Sequence, residues 1–170
     1  MARRQRQMCI RDRNRGAEAK KNLKARLVAW DPRQVRSELA RHYDPYWQGL
    51  HVTAHETFAN LLREITDDEI KINLHPDQDR DATRICFALN DHPGIFSRLA
   101  GALALVGANV VDARTYTSKD GYATAAFWVQ DTYGNPYKVT HLKRLHTMIE
   151  KTLKGEVITQ EAIKDRVRVK

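Results

Sequence analysis

The residues best placed to bind a ligand form a short polar loop, Asn90-Asp91-His92-Pro93-Gly94, between an apolar run and a helix-forming segment. Pro93 and Gly94 favour a tight turn, which leaves backbone N–H groups unpaired at the start of a helix beginning at Ile95. Those N–H groups and the helix dipole attract a carboxylate or another small anion. The alternative is a strand-to-helix turn in which Asp91 only caps the helix.

Other residues that could take part in catalysis or metal binding lack the partners that these functions need. The acidic stretch 77–81 has Ala82 and Ala88 where a calcium loop requires Gly and Glu, so we interpret it as a solvated loop. His51 and His55 are spaced to share a helix face, yet no third zinc ligand accompanies them, and surface or packing roles are favoured. The sequence contains no nucleophile elbow, P-loop or Cys-x-x-Cys pair. We therefore predict no catalytic residue and no metal site in this chain.

A group of aromatic residues, Tyr43, Tyr46 and Trp47, follows the second helical segment and lies near Arg41 in the sequence. Such side chains can stack on nucleic-acid bases. Aromatic residues at helix ends more often hold helices together, because they bury a large area. We expect packing to be their role.

The first part of the chain is predicted to be mostly helical. Apolar residues recur at three- and four-residue spacing through residues 17–66, with interruptions at Asp31-Pro32 and Asp44-Pro45. Residues 74–81 are rich in acid and contain Pro76, so we predict a loop there and not a regular element.

Beyond this loop the pattern predicts the order β-α-β-β-α. Residues 84–89 form a nearly continuous apolar run typical of a buried strand. The following helix is expected to end at Gly107, an Asp120-Gly121 turn predicts a hairpin, and a last helix is expected to end at Gly155.

The predicted fold class is α+β: a ferredoxin-like βαββαβ unit whose last strand is missing, preceded by a helical segment. The missing strand should leave the sheet with an open edge. We expect residues 85–89 to lie between residues 111–115 and a further strand position.

The net charge of +8 is concentrated near the N-terminus. Residues 1–28 contain ten Lys or Arg and two Asp or Glu, whereas the remainder contains 19 charged residues of each sign. The neutral remainder argues against nucleic acid as a partner. Residues 8–13 moreover resemble a peptide encoded by sequencing-adapter DNA, so we interpret residues 1–13 as a non-native lead.

Cysteine content and hydropathy point to a cytoplasmic protein. Two cysteines are too few for a disulfide framework, and Cys86 lies in an apolar strand pattern where a reduced, buried thiol is expected. No apolar run reaches the roughly 20 residues of a membrane span, and no secretion signal follows the N-terminal charges. We expect no membrane partner.

Two segments carry a family resemblance. Residues 85–134, which include the polar loop, resemble an ACT domain, an amino-acid-binding regulatory module. They are most similar to the first ACT domain of the bifunctional uridylyltransferase/uridylyl-removing enzymes of bacterial nitrogen control. The preceding LARHYDPYWQG, residues 39–49, resembles the helical segment that joins the phosphohydrolase domain of those enzymes to their ACT domains. The resemblance implies a helical linker at residues 14–70, an ACT domain at 82–155 and a charged tail at 156–170.

The resemblance also implies a site for glutamine or another small amino acid. Its carboxylate would meet the loop N–H groups, and its amide would meet polar neighbours. The implied binding residues form a loop and a facing strand start: Asn90, Asp91, His92, Pro93, Gly94, Ile95 and Phe96, together with Asn109, Val110, Val111 and Asp112.

Partners and cofactors follow from the resemblance alone. The enzymes it implies transfer UMP from UTP to the PII signal protein and remove it, with magnesium, and they carry two catalytic domains and a second ACT domain. We therefore expect a regulatory fragment without a cofactor or activity of its own. The alternatives are an ACT module of another metabolic enzyme and a basic RNA-binding protein, whose salt-sensitive binding would survive removal of residues 1–28.

Overall fold

A computed structural model describes the backbone of residues 2–168 and the side chains of residues 14–155. The helices are α1 (Ala2–Arg26), α2 (Pro32–Arg41), α3 (Asp44–Gly49), α4 (Val52–Leu62), α5 (Ile95–Leu105) and α6 (Leu142–Arg168), with a 3-10 turn at Val139–His141. The strands are β1 (Ile70–Asp77), β2 (Ala82–Asn90), β3 (Asn109–Thr117) and β4 (Tyr122–Gln130). The side chains of the predicted lead and tail, residues 1–13 and 156–170, lie outside the described residues.

The four strands form one antiparallel sheet in the order β1-β2-β4-β3. Helices come first along the chain, and the sheet region then runs ββαββα. This order confirms the predicted α+β class and its ferredoxin-like strand arrangement. Two of the three glycine signals are also confirmed, since Gly107 and Gly121 adopt positive φ angles of 81° and 90° after the end of α5 and in the β3–β4 turn.

The prediction of a loop at residues 74–81 is wrong for its first half. Strand β1 continues to Asp77, and only residues 78–81 form a turn. Pro76 is compatible with this strand because β1 is an edge strand, in which every second N–H points away from the sheet and forms no ladder bond. The expected open edge beside β2 is therefore wrong as well, since β1 pairs with that edge. Within the described backbone, no strand follows α6.

The expected placement of residues 85–89 beside residues 111–115 is also wrong, because β4 lies between β2 and β3. Every residue of Ala82–Leu89 in β2 and of Ala123–Val129 in β4 is buried, so both strands need a neighbour on each side. Strand β3 mixes polar and apolar residues and is exposed along most of its length, as suits an edge.

The chain divides into two compact units, and each strand contributes residues to both. The second unit comprises Leu74–Ile85, His92–Ala113 and the residues from Phe127 onward. Within it α5 packs against α6, and the two helices bury Leu99, Leu103, Leu145, Ile149 and Leu153. Helix α6 continues past Gly155, which was predicted to end it; glycine inside a helix costs only about 1 kcal/mol relative to alanine.

The first unit comprises the residues up to Asn73, Cys86–Asp91 and Arg114–Ala126. Here α1 packs against α3 and α4. Tyr46 and Trp47 are only 1% and 2% exposed, which confirms the packing interpretation for both. Tyr43 differs, because its ring is 55% exposed and lies 5.4 Å from the Lys119 Nζ.

Gly49 allows the end of α3 to approach β3 closely. A Cβ atom at this position would lie 2.0 Å from the Tyr116 hydroxyl oxygen and 3.1 Å from Tyr116 Cζ. The Gly49 carbonyl also accepts a long hydrogen bond of 3.4 Å from the Arg114 guanidinium. The glycine in LARHYDPYWQG therefore has a steric reason, namely space for the Tyr116 side chain.

We predict that Gly49→Ala lowers the free energy of unfolding by about 1 to 3 kcal/mol, because the added methyl group overpacks this contact. Tyr116→Phe removes the nearest atom and should recover part of the loss in the double variant. Urea unfolding of the wild type, both single variants and the double variant measures the coupling. Strictly additive effects would contradict the steric explanation.

Candidate functional site

The predicted ligand loop joins β2 to α5. Asn90 is the last residue of β2, and the four residues Asp91–Gly94 are all exposed. Gly94 is the N-cap of α5 with φ 79° and ψ 4°, a left-handed conformation that favours glycine. The N-cap is Gly94, which has no side chain to form a cap, so the interpretation of Asp91 as the cap is wrong. The Ile95 N–H donates a 3.2 Å hydrogen bond to the His92 carbonyl, so the donors that the helix start could offer to a ligand are those of the residues that follow, Phe96 and Ser97.

Backbone contacts hold the loop at both ends. The Asp91 N–H donates a 2.9 Å hydrogen bond to the Gly121 carbonyl in the β3–β4 turn. On the helical side, the Arg98 N–H donates to the Gly94 carbonyl at 3.1 Å, and the Ile95 side chain is only 2% exposed. Each end of the loop is thus hydrogen-bonded to the unit to which it belongs.

The predicted facing residues, Asn109–Asp112, begin β3. Val110 and Val111 are exposed, as expected for an edge strand. Asp112 has a protein partner: its carboxylate lies 2.5 Å from the Arg80 guanidinium. The ligand loop is hydrogen-bonded to the turn after β3, whereas Asn109–Asp112 lie at the start of β3. That the loop and Asn109–Asp112 bind one ligand together therefore remains a prediction.

Sequence reasoning missed the cluster around Arg80 in the second unit. The Arg80 guanidinium lies 4.0 Å from the centroid of the Trp128 ring, and Trp128 Nε1 donates a 2.8 Å hydrogen bond to Asp77. Asp77 therefore orders the indole and is not simply solvated, which corrects our interpretation of the acidic stretch for this residue. Nothing in the sequence could have revealed the cluster, because its members lie far apart along the chain.

The two histidines of α4 have structural roles. His51 is the N-cap and accepts a 3.3 Å hydrogen bond from the Thr53 N–H. His55 is fully buried, and its Nε2 lies 2.9 Å from the Tyr46 carbonyl. A carbonyl can only accept, so Nε2 carries the proton. Among the described residues, no group of three or more His, Cys, Asp and Glu side chains could hold a metal ion.

Two open cavities lie in the first unit. One of about 430 Å³ is lined by α1 and the start of α4, including Glu18, His51 and His55. The other, of about 400 Å³, is lined by residues that include Trp30, Arg41 and Asp120. Neither lining contains a residue of the predicted ligand loop.

The fold and the loop together define an α+β ferredoxin-like domain with a helical segment before it and a helix that begins at a left-handed glycine after an exposed loop. None of the described helices combines the length and the apolar character that a membrane span requires. No family model matches the chain.

Comparison with curated proteins identifies relatives over most of the chain, among them several bifunctional uridylyltransferase/uridylyl-removing enzymes. The chain is 65% identical over 157 residues to the enzyme of Cereibacter sphaeroides and 59% identical over 160 residues to that of Ruegeria pomeroyi; each match covers 92% of the chain. It is 32% identical over 153 residues, 88% of its length, to the enzyme of Rhodospirillum rubrum.

The chain is thus homologous to one segment of the bifunctional uridylyltransferase/uridylyl-removing enzymes, which confirms the predicted resemblance. It spans only 17%, 18% and 16% of the lengths of these three relatives. The homology favours this parent over an ACT module of another metabolic enzyme.

The buried His55 should make stability depend on pH. Burial is the main cause that lowers its pKa from 6.5 to about 4, so the folded chain keeps the imidazole neutral at a pH where the unfolded chain binds a proton. The contribution of neutral His55 to the free energy of unfolding is therefore fully present above pH 6.5 and is lost as the pH falls towards 4. We expect a loss of about 2 to 3 kcal/mol in the free energy of unfolding between pH 7 and pH 4.5.

Replacing His55 by Gln keeps an N–H donor for the Tyr46 carbonyl and removes the titration. Urea unfolding at pH 7 and pH 4.5 should show a smaller pH-dependent loss for His55→Gln than for the wild type. Equal losses in both proteins would mean that His55 does not titrate as its burial requires.

Proposed function

We propose that this chain is a regulatory segment of a uridylyltransferase/uridylyl-removing enzyme, and that its loop Asn90–Phe96 binds glutamine. The observation that carries the proposal is the left-handed Gly94 at the N-terminus of α5, directly after three exposed loop residues, Asp91, His92 and Pro93. This geometry places the backbone of the first helical turn next to an exposed loop, where a small ligand could reach it. The names of the relatives supply the enzymatic context.

The loop suits the carboxylate of an amino acid. Backbone N–H groups in the first turn of α5 would donate to the carboxylate oxygens, and the positive end of the helix dipole would stabilise the negative charge. The exposed Asp91 carboxylate offers an acceptor for the ammonium group. Polar neighbours such as Asn90 and His92 provide partners for the side-chain amide, and Asn109–Asp112 would complete the site.

Glutamine would act by favouring one arrangement of the parent enzyme. A ligand shifts a conformational equilibrium only by its difference in affinity for the two states. In this proposal the loop senses glutamine in the cytoplasm, and a second ACT domain and the catalytic domains of the parent respond by adding UMP to the PII protein or removing it. Magnesium belongs to the catalytic domains; the described residues of this chain offer no cluster that fits it.

Glutamine binding should depend on the conformation of Gly94. We expect Gly94→Val to weaken binding by at least about tenfold, because a β-branched residue at a φ of 79° costs about 1 to 2 kcal/mol and shifts the loop. Gly101→Ala is the matched control: it lies in the same helix and a Cβ there meets no atom within 4 Å.

Calorimetric titration of glutamine, with alanine as the comparison ligand, tests the proposal on this chain and on a full-length parent enzyme. Selective binding of glutamine that is lost in Gly94→Val and kept in Gly101→Ala supports it. No binding to either protein, or binding that Gly94→Val leaves unchanged, rules out this loop as the glutamine site.

A further inference from the structure

The C-terminus of α2 contains a buried carboxylate that fixes the position of Arg41. Glu38 is only 2% exposed; its Oε1 lies 2.8 Å from His42 Nε2, and its Oε2 lies 3.3 Å from Arg41 Nη1. A carboxylate in such an environment needs these partners, because a buried unpaired charge is costly. The guanidinium at the last residue of α2 therefore has an anionic partner on its buried side, an ion pair with Glu38, although its Nε and Nη1 make no hydrogen bond within the described part of the chain.

The same arginine contacts the turn between β3 and β4 in two ways. Arg41 Nη2 lies 3.3 Å from Asp120 Oδ2, and the Arg41 backbone carbonyl accepts a 2.7 Å hydrogen bond from the Lys119 N–H. The second contact satisfies one of the carbonyl groups that a helix leaves unpaired at its end. The side chain of Arg41 is only 18% exposed, so solvent screens its pair with Asp120 less than that of a fully exposed pair.

The turn has hydrogen bonds of its own and also contacts the first residue of the ligand loop. Ser118 is 3% exposed; its hydroxyl donates to Asp120 Oδ1 at 2.6 Å and accepts from the Tyr122 N–H at 2.9 Å. Gly121, which closes the turn, accepts the 2.9 Å hydrogen bond from the Asp91 N–H. A continuous series of contacts thus runs from the linker helix α2, through one four-residue turn, to the backbone of the first exposed loop residue.

We propose that Arg41 is a positioning residue for the ligand loop. Its ion pair with Asp120 holds the β3–β4 turn in place, and the Gly121 carbonyl of that turn holds the backbone of Asp91. The inference rests on the proposed function of that loop. It implies that the position of the helical segment and the occupation of the loop affect one another, because coupling between two sites is reciprocal. The helical segment would then be part of the sensing device and not only a connection.

Asp120→Asn tests this contact without disturbing the buried Glu38. The variant removes the charge that faces Arg41 and keeps an oxygen for the Ser118 hydroxyl. We expect hydrogen exchange of the Asp91 amide to speed up by about three- to fivefold, the effect of losing a partly exposed ion pair, while the Ala125 amide in β4 is unchanged. Asp120→Glu, which keeps the charge, should restore most of the protection. The matched control is Asp79→Asn in the β1–β2 turn, which should leave the Asp91 amide unaffected.

Glutamine affinity, measured on the same variants, separates this inference from the proposed function. Faster exchange at Asp91 together with a similar loss of affinity in Asp120→Asn supports both. If the wild type binds no glutamine but Asp91 responds to Asp120→Asn, the positioning role stands and the proposed ligand is wrong. An Asp91 amide that is unprotected in the wild type, or one that does not respond to Asp120→Asn, overturns the positioning role whether or not glutamine binds.

Discussion

The burial of the Tyr46 ring is the contact on which the first unit depends. The ring is 1% exposed; His42 stacks on it with a centroid distance of 3.6 Å, and Tyr116 of β3 meets it edge-on at 5.7 Å. Burial raises the pKa of its hydroxyl well above the ordinary value, so the ring remains neutral. An aromatic side chain of this kind removes roughly 150 to 250 Å² from water. Because the ring touches both a helix and a strand, this burial is what joins the helical segment to the hairpin.

Several other features depend on that junction. Gly49 leaves room for Tyr116, His55 binds the Tyr46 carbonyl, and the end of α2 is brought to the β3–β4 turn. The turn carries the bond to Asp91, so the candidate loop begins in the same unit as the helical segment. The helical segment and the start of the candidate loop therefore share one core, which is a physical basis for the coupling between them that we propose.

Local signals in the sequence were sufficient for most of the elements. Gly107 and Asp120-Gly121 end their elements because glycine adopts positive φ angles whatever its tertiary contacts. The apolar runs of β2 and β4 likewise indicate burial before the neighbouring strands are known. Strand β1 was missed because proline usually interrupts a strand. Proline is tolerated in an edge strand, but only the assembled sheet shows that β1 lies at an edge. The position of β4 was missed for a related reason. The alternation of apolar and polar residues in β3 and β4 predicts a hairpin, but it does not predict which of the two strands pairs with β2 in the middle of the sheet.

The candidate site was predictable only in part. The sequence indicates a loop followed by a helix, and the exposed residues and the left-handed Gly94 have the geometry that this order requires. Long-range pairs such as Arg80 with Asp112 and Arg41 with Asp120 could not be predicted, since no local pattern specifies partners separated by tens of residues. These pairs determine what surrounds the loop and the start of β3.

Native-state hydrogen exchange, resolved by residue, measures most directly whether the helical segment and the hairpin form one structure. If the Tyr46 core joins them, the amides of Val35 in α2, Phe58 in α4 and Ala125 in β4 should open with free energies that agree within about 1 kcal/mol. Protection of Ala125 by several kcal/mol more than Val35 and Phe58 would show that the helices unfold independently, and it would contradict the shared core.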